Sequence, residues 1–140
     1  MCKRIFFDAN IIVDIFDTTR ENHIDSLKVY AWAIENNCEL FTSCDIVTTI
    51  YYIVSKKGKQ EAREKIRQIN KIIQIIEFSN VEVEQTCALM SEDSCFNDLE
   101  DTVQYVLAQA KKCDVIITND QQFHSPDIAL HSSKSFLEVL

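Results

Sequence analysis

The fold class this chain predicts is a three-layer α/β/α sandwich around a central parallel sheet of four to five strands. Three observations predict it. Val115-Ile116-Ile117 is a short, continuously apolar, β-branched run, the pattern of a strand covered on both faces. Just before it, Val103, Val106, Leu107 and Ala110 recur at helical spacing, so one helix face is meant for a core. Segments of these two kinds alternate along the whole chain, which implies parallel strands joined by crossover helices.

The elements follow in order. Lys3 to Phe7 is a short strand ending at Asp8, and Asn10 is a good N-cap for a helix over Ile11–Phe16. Glu21 to Asn37 is a second helix with a stripe of Ile24, Leu27, Tyr30, Ala31 and Ile34. Glu39 to Thr42 is the second strand. Ser43 can cap the next helix, whose apolar face carries Ile46, Val47, Ile50, Tyr51, Ile53 and Val54 before Gly58 ends it. A basic helix over about residues 59–73 leads to a third strand at Ile75–Phe78. Val81–Met90 is helical and Ser91–Asn97 is a polar loop. Asp98 opens the helix before Val115, and Asp120 stands just past that strand. After an irregular stretch, Ile128–Leu130 is a final strand and Ser133 caps a last short helix.

At 140 residues the chain is one domain, 1–140, long enough for a real core. Single glycine and proline residues, Gly58 and Pro126, exclude linker and low-complexity readings as well as a glycine-rich phosphate loop. No apolar run is long enough to span a membrane. The charge at Asp8 comes too soon for a signal peptide, so the chain is expected in the cytoplasm. The six cysteines (2, 38, 44, 87, 95 and 113) show no Cys-x-x-Cys spacing and read as reduced thiols.

A net charge of −8 argues against a nucleic-acid binder, but the charge is unevenly placed. Lys56, Lys57, Lys59, Arg63, Lys65, Arg67 and Lys71 face only Glu61 and Glu64 in the same segment, a net +5 that leaves −13 elsewhere. Such a basic helix is either a phosphate-backbone contact or a solvated face.

The acids carry the chemistry. In open α/β sheets ligands sit beyond the carboxyl ends of the strands, where helix starts lie on the same edge. Asp8 and Asp120 are strand-end acids, and Asp98, Glu100 and Asp101 surround a helix start. Each alone could be a turn former or a helix cap. Together they would repel one another unless a cation held them. Hard oxygen ligands without histidine or thiolate suit Mg2+ or Mn2+, ions that activate a water and stabilise the leaving oxygen in phosphodiester hydrolysis. His23, His124 and His131 have no nucleophile motif beside them.

The ordered motifs resemble the PIN domain family, the small metal-dependent ribonuclease fold found in VapC-type toxins, over essentially the whole chain. Ile5-Phe6-Phe7-Asp8-Ala9-Asn10 is similar to its opening strand and first acid. Leu99-Glu100-Asp101-Thr102-Val103-Gln104 is similar to its third motif, and Asp114 to Asp120 followed by Phe123 to its fourth. The resemblance implies that Asp8, Asp101 and Asp120 bind the metal and are catalytic, with Asn10, Thr118 and Asn119 shaping the site. The second motif departs: Thr49 stands where the family places a glutamate, and Asp45, Glu100 or Asp98 would have to fill the gap. The implied activity is endoribonucleolytic cleavage of single-stranded RNA. The implied partners are a cognate antitoxin and a second copy in a homodimer, with Lys56, Lys57, Lys59 and Arg63 guiding RNA. A PIN-like binding module that lost activity with its second acid is one alternative. An aspartate-based phosphatase or phosphotransfer domain is another, although Asp8-Ala9-Asn10 lacks the second aspartate of the dehalogenase pattern.

Overall fold

The computed structural model describes residues 3–140; Met1 and Cys2 lie outside the described residues. The elements run β1 (Arg4–Phe7), α1 (Ala9–Phe16), α2 (His23–Glu35), β2 (Glu39–Ser43), α3 (Ile46–Val54), α4 (Lys59–Ile72), β3 (Ile73–Ile76), α5 (Asn80–Glu92), α6 (Leu99–Ala110), β4 (Val115–Ile117), β5 (Ala129–His131) and α7 (Ser133–Glu138). Five parallel strands form one sheet in the order β3-β2-β1-β4-β5.

Side-chain alternation explains why both faces must be covered. Ile5 and Phe7 of β1, Leu40 of β2 and Val115 and Ile117 of β4 point into a core shared with α1, α2, α3, α4 and α7. Phe6, Phe41 and Ile116 point the other way, against α6 residues Tyr105, Leu107 and Ala108. In the central strands β1 and β4, successive buried apolar residues alternate between the two layers and leave neither face there to water. The result is the expected three-layer sandwich, with the sheet at the upper end of the expected strand count.

Two helix-to-strand turns share one device. After α2, Asn37 takes φ 54°, donates to the Ile34 carbonyl, and is followed by Cys38 donating to Ala33. After α6, Lys112 takes φ 53°, donates to Gln109, and Cys113 donates to Ala108. Both are Schellman closures built without glycine. The lone glycine, Gly58, stands at φ 140° between the 3-10 turn Ser55–Lys57 and α4, where a side chain would be strained.

Several boundaries differ from the sequence reading. Asp8, not Asn10, is the N-cap of α1, its carboxylate accepting from Ala9 N–H at 2.6 Å. Asn10 already lies in the first turn. β3 begins two residues early, at Ile73, because pairing with Leu40 buries that side chain and continues the α4 apolar stripe directly into the sheet. Ser43 ends β2 instead of capping α3, and Ser132 rather than Ser133 caps α7 through Ser135 N–H. β5 is shifted one residue, to Ala129–His131.

Candidate active site

Sheet order places the acids together. The chain builds outward from β1 through β2 to β3, then returns to the other side of β1 for β4 and β5. The reversal opens a crevice between the carboxyl ends of β1 and β4, the point where such sheets bind ligands. Asp8 follows β1 and Asp120 follows β4. Asp98, Glu100 and Asp101 enter from the start of α6. All five line one cleft of about 320 Å³, with Asn10, Thr49 and Arg20 also on its wall. A larger cleft of about 660 Å³ lies beside β3 and α5, but it lacks this convergence of acids. Chemistry rather than size singles out the smaller one.

Thr118 ties two of the acids. Its hydroxyl donates to Asp8 Oδ2 at 2.7 Å and accepts from Asp120 N–H at 3.0 Å. Asp120 Oδ1 accepts from Gln122 N–H at 2.9 Å, which fixes the turn after β4. Across the cleft, Asp98 caps α6 by accepting from Asp101 N–H at 2.9 Å. Asp98 therefore takes the cap, and Asp101 is left facing the other carboxylates.

That arrangement is electrostatically expensive. Burial pushes Asp8 upward; Thr118, Gln104 and the Ala9 N–H oppose the shift, and Asp120 adds to it. Burial raises Glu100 as well, with repulsion from Asp8, Asp45 and Asp98. Asp101 is pushed up to about 7, first by burial and then by the charges of Asp8, Asp98 and Asp120. The one cation lining the cleft among the described residues, Arg20, already holds Asp14 at 2.9 Å. Of three side chains with buried unpartnered polar atoms among the described residues, Tyr30 lies outside the cleft lining, whereas Asn10 Oδ1 is on the cleft wall and the Gln104 amide lies near Asp8. Gln104 nevertheless approaches Asp8 closely enough to favour its ionised form. Converging carboxylates and orphaned buried amides are what a site completed by a hard divalent cation would show.

The remaining expected residues are placed differently from one another. Thr49, at the position that lacks its expected glutamate, lines the cleft. Asp45 precedes α3 on the surface, hydrogen-bonded by Ser43, and acts on the cleft only through its repulsion of Glu100. Asn119 turns away: its Nδ2 donates to Asp14 at 3.1 Å and its Oδ1 accepts from Ser133 N–H and Oγ. These bonds pin the β4 tip to α1 and α7. The lysines begin where α3 ends, after Ile53, which lines the cleft. Lys57 pairs with Asp17 at 3.5 Å, Lys65 donates to the Phe16 carbonyl, and Lys56 covers Tyr52. The basic segment thus packs against the far end of α1, roughly 12 Å from Asp8 along an eight-residue helix.

Sequence reasoning missed Asp14, Arg20 and Gln104. Asp14 is 3 % exposed and accepts from Arg20, Ser26 and Asn119. An acid inside the run Ile11-Ile12-Val13-Asp14-Ile15 was the available signal, since a charge on a buried helix face requires partners.

A pH-dependent stability follows. A carboxyl whose folded pKa lies above its unfolded value binds a proton more tightly in the native state, so stability falls as pH rises. For Asp101 the fall spans about pH 4 to 7, and the penalty is full above that. Asp101→Asn is expected to raise the midpoint of the metal-free protein at pH 8 and to have little effect at pH 4. Discounted for solvent screening, the gain is ~1–2 kcal/mol, roughly 3–8 °C for a chain of this size. Thermal melts across that range check this, and a gain equal at both pH values would contradict it.

The sequence and the fold are similar to those of known proteins. A family model described as PIN domain matches residues 4–122. Ribonuclease VapC1 of Aquifex aeolicus is 43% identical over 136 residues, covering 97% of this chain and 94% of that protein. Among solved structures, FitAcB from Neisseria gonorrhoeae superposes with a TM-score of 0.71 at 17% identity, covering 93% of this chain and 98% of that one. A toxin–antitoxin complex from Klebsiella pneumoniae does so at 0.68 and 22%, covering 92% and 97%. By the extent of the family match and the identity of its relative, the chain belongs to the PIN domain family.

Proposed function

We propose that this protein is a divalent-metal-dependent endoribonuclease that cleaves single-stranded RNA as the toxin of a toxin–antitoxin pair. The ribonuclease class is that of its 43%-identical relative, and nucleases of this family generally depend on a divalent metal. The observation that supports the site is the convergence of Asp8, Asp101 and Asp120 with no free cation among them. These three carboxylates would hold Mg2+ or Mn2+, with Glu100 and Asp98 available where the usual second acid is replaced by Thr49. When bound, such an ion lowers the pKa of water and neutralises charge developing on a phosphodiester. The chain's own groups do the rest. Thr118 orients the Asp8 carboxylate, Asp98 holds the α6 start in place, and Arg20 on the cleft wall anchors Asp14.

Metal-dependent cleavage of end-labelled single-stranded RNA, lost with EDTA and reduced roughly 10²–10³-fold in Asp101→Asn, is the expected outcome. Thr49 favours a second reading, a domain that binds without cutting. Metal binding with no cleavage by the wild type would support that reading instead.

The acidic cleft by itself repels RNA, so the basic segment at the far end of α1 is proposed as the phosphate contact, through Lys56, Lys57, Lys59 and Arg63. Replacing Lys57 and Arg63 by alanine should reduce the salt slope of RNA binding by about 1.4, from ~0.7 per phosphate contact. An unchanged slope would make the segment a solvated helix.

A cognate antitoxin and a homodimer are part of the same proposal. An apolar groove between α3 and α4, lined by Val47, Tyr51 and Ile66, and exposed Ile24, Leu27 and Ile34 on α2 are surfaces available for them. No helix among the described residues is long and apolar enough to cross a membrane, and a cytoplasmic location is proposed with the RNA substrate.

A further inference from the structure

Beside the acid cleft lies a second cluster with a different chemistry. Asp93 is the C-cap just past α5, Cys95 follows two residues later, and His124 comes from the loop after β4. One ligand atom of each lies within 4.8 Å of the other two. His124 Nε2 stands 3.2 Å from Asp93 Oδ2. Asp93 Oδ1 accepts the Cys95 backbone N–H at 2.9 Å, a turn that brings the carboxylate and the thiol to the same side. The imidazole is held by an edge contact with Phe96, ring centroids 4.5 Å apart. An ion pair between Asp93 and His124 would need no thiol, yet an exposed thiol stands beside both.

We propose that Asp93, Cys95 and His124 form a second metal site, selective for a borderline-soft ion such as Zn2+. One thiolate, one imidazole and one carboxylate are the three ligand types zinc takes, and a magnesium or calcium site would not include the first two. Ligand distances of about 2.0–2.3 Å around zinc require the three atoms to draw together by roughly 1 Å, which side-chain rotation of the exposed Cys95 supplies. The fourth position stays open to water. Such an ion fastens the loop that leads into Asp98 and Asp101 to the loop that follows Asp120. It therefore clasps the two segments that deliver the acids to the cleft, while using none of those acids itself. The site does not depend on the nuclease reading.

The test uses the full chain stripped of metal and titrated with Co2+, which reports thiolate ligation by a charge-transfer absorption, and with Zn2+ in competition with a chromophoric chelator. The wild type is expected to show the cobalt–thiolate band and to bind one equivalent of zinc in addition to any held by the acid cleft. Cys95→Ser should abolish the band and His124→Ala should weaken zinc binding at least tenfold. Cys87→Ser, which removes another exposed thiol, should leave both unchanged, and Asp101→Asn, which disables the acid cleft, should keep the cobalt–thiolate band. A wild type without the band, or a band that survives Cys95→Ser, overturns the proposal. Zinc bound by Asp101→Asn without RNA cleavage separates the outcome for this site from that for the nuclease.

Discussion

Mutual repulsion among carboxylates at the crevice between β1 and β4 is the constraint on which the rest of the structure depends. Asp8 is almost fully buried just after the buried apolar run Ile5–Phe7, and Asp101 and Asp120 face it from two other elements. A protein selected only for stability would replace such a cluster with apolar or paired residues, because each unpaired buried charge costs several kcal/mol. The cost is met locally and in part. Thr118 and the Ala9 N–H solvate Asp8, Gln122 N–H solvates Asp120, and Asp98 turns its carboxylate into a helix cap. What remains is a deficit of positive charge of the kind a divalent ion removes.

A strained site needs a stiff surround. The sheet supplies it by burying apolar side chains on both faces, so the strand ends cannot part without exposing Phe6, Phe7 or Ile117. The second support is polar. Asp14 gathers Arg20, Ser26 and Asn119, and Asn119 in turn holds the start of α7 through Ser133. This network links α1, α2, the β4 tip and α7 directly behind the acids. Fully satisfied buried networks of this kind fix one arrangement, where apolar packing alone tolerates several.

Much of this was legible in the amino-acid sequence, and for physical reasons. Continuous β-branched runs admit few environments other than a covered parallel strand, and an acid just past such a run must lie at the sheet edge. Asp8, Asp101 and Asp120 could therefore be placed together without knowing the strand order. The misplaced features are those where two local solutions are equally good. Asp8 and Asn10 can both cap α1, and only the observed backbone at Asp8 decides. Ile72 to Ile76 is apolar apart from Gln74, so the helix could have run on; pairing of Ile73 with Leu40 ends it. Asp14 and Gln104 stayed hidden because their significance lies in partners distant along the chain. Asp14 meets Asn119 across 105 residues, and Gln104 meets Asp8 from another layer.

The central claim, that the acid cluster is a cation site whose repulsion the ion relieves, is tested most directly by the protons exchanged on binding. Metal binding to protonated ligands releases protons. With Asp101 pushed up to about 7, calorimetric titration with Mn2+ in two buffers of different ionisation enthalpy should show proton release at pH 6. The release should vanish by pH 8.5. Binding without proton release at either pH, or no binding at all, would contradict the account.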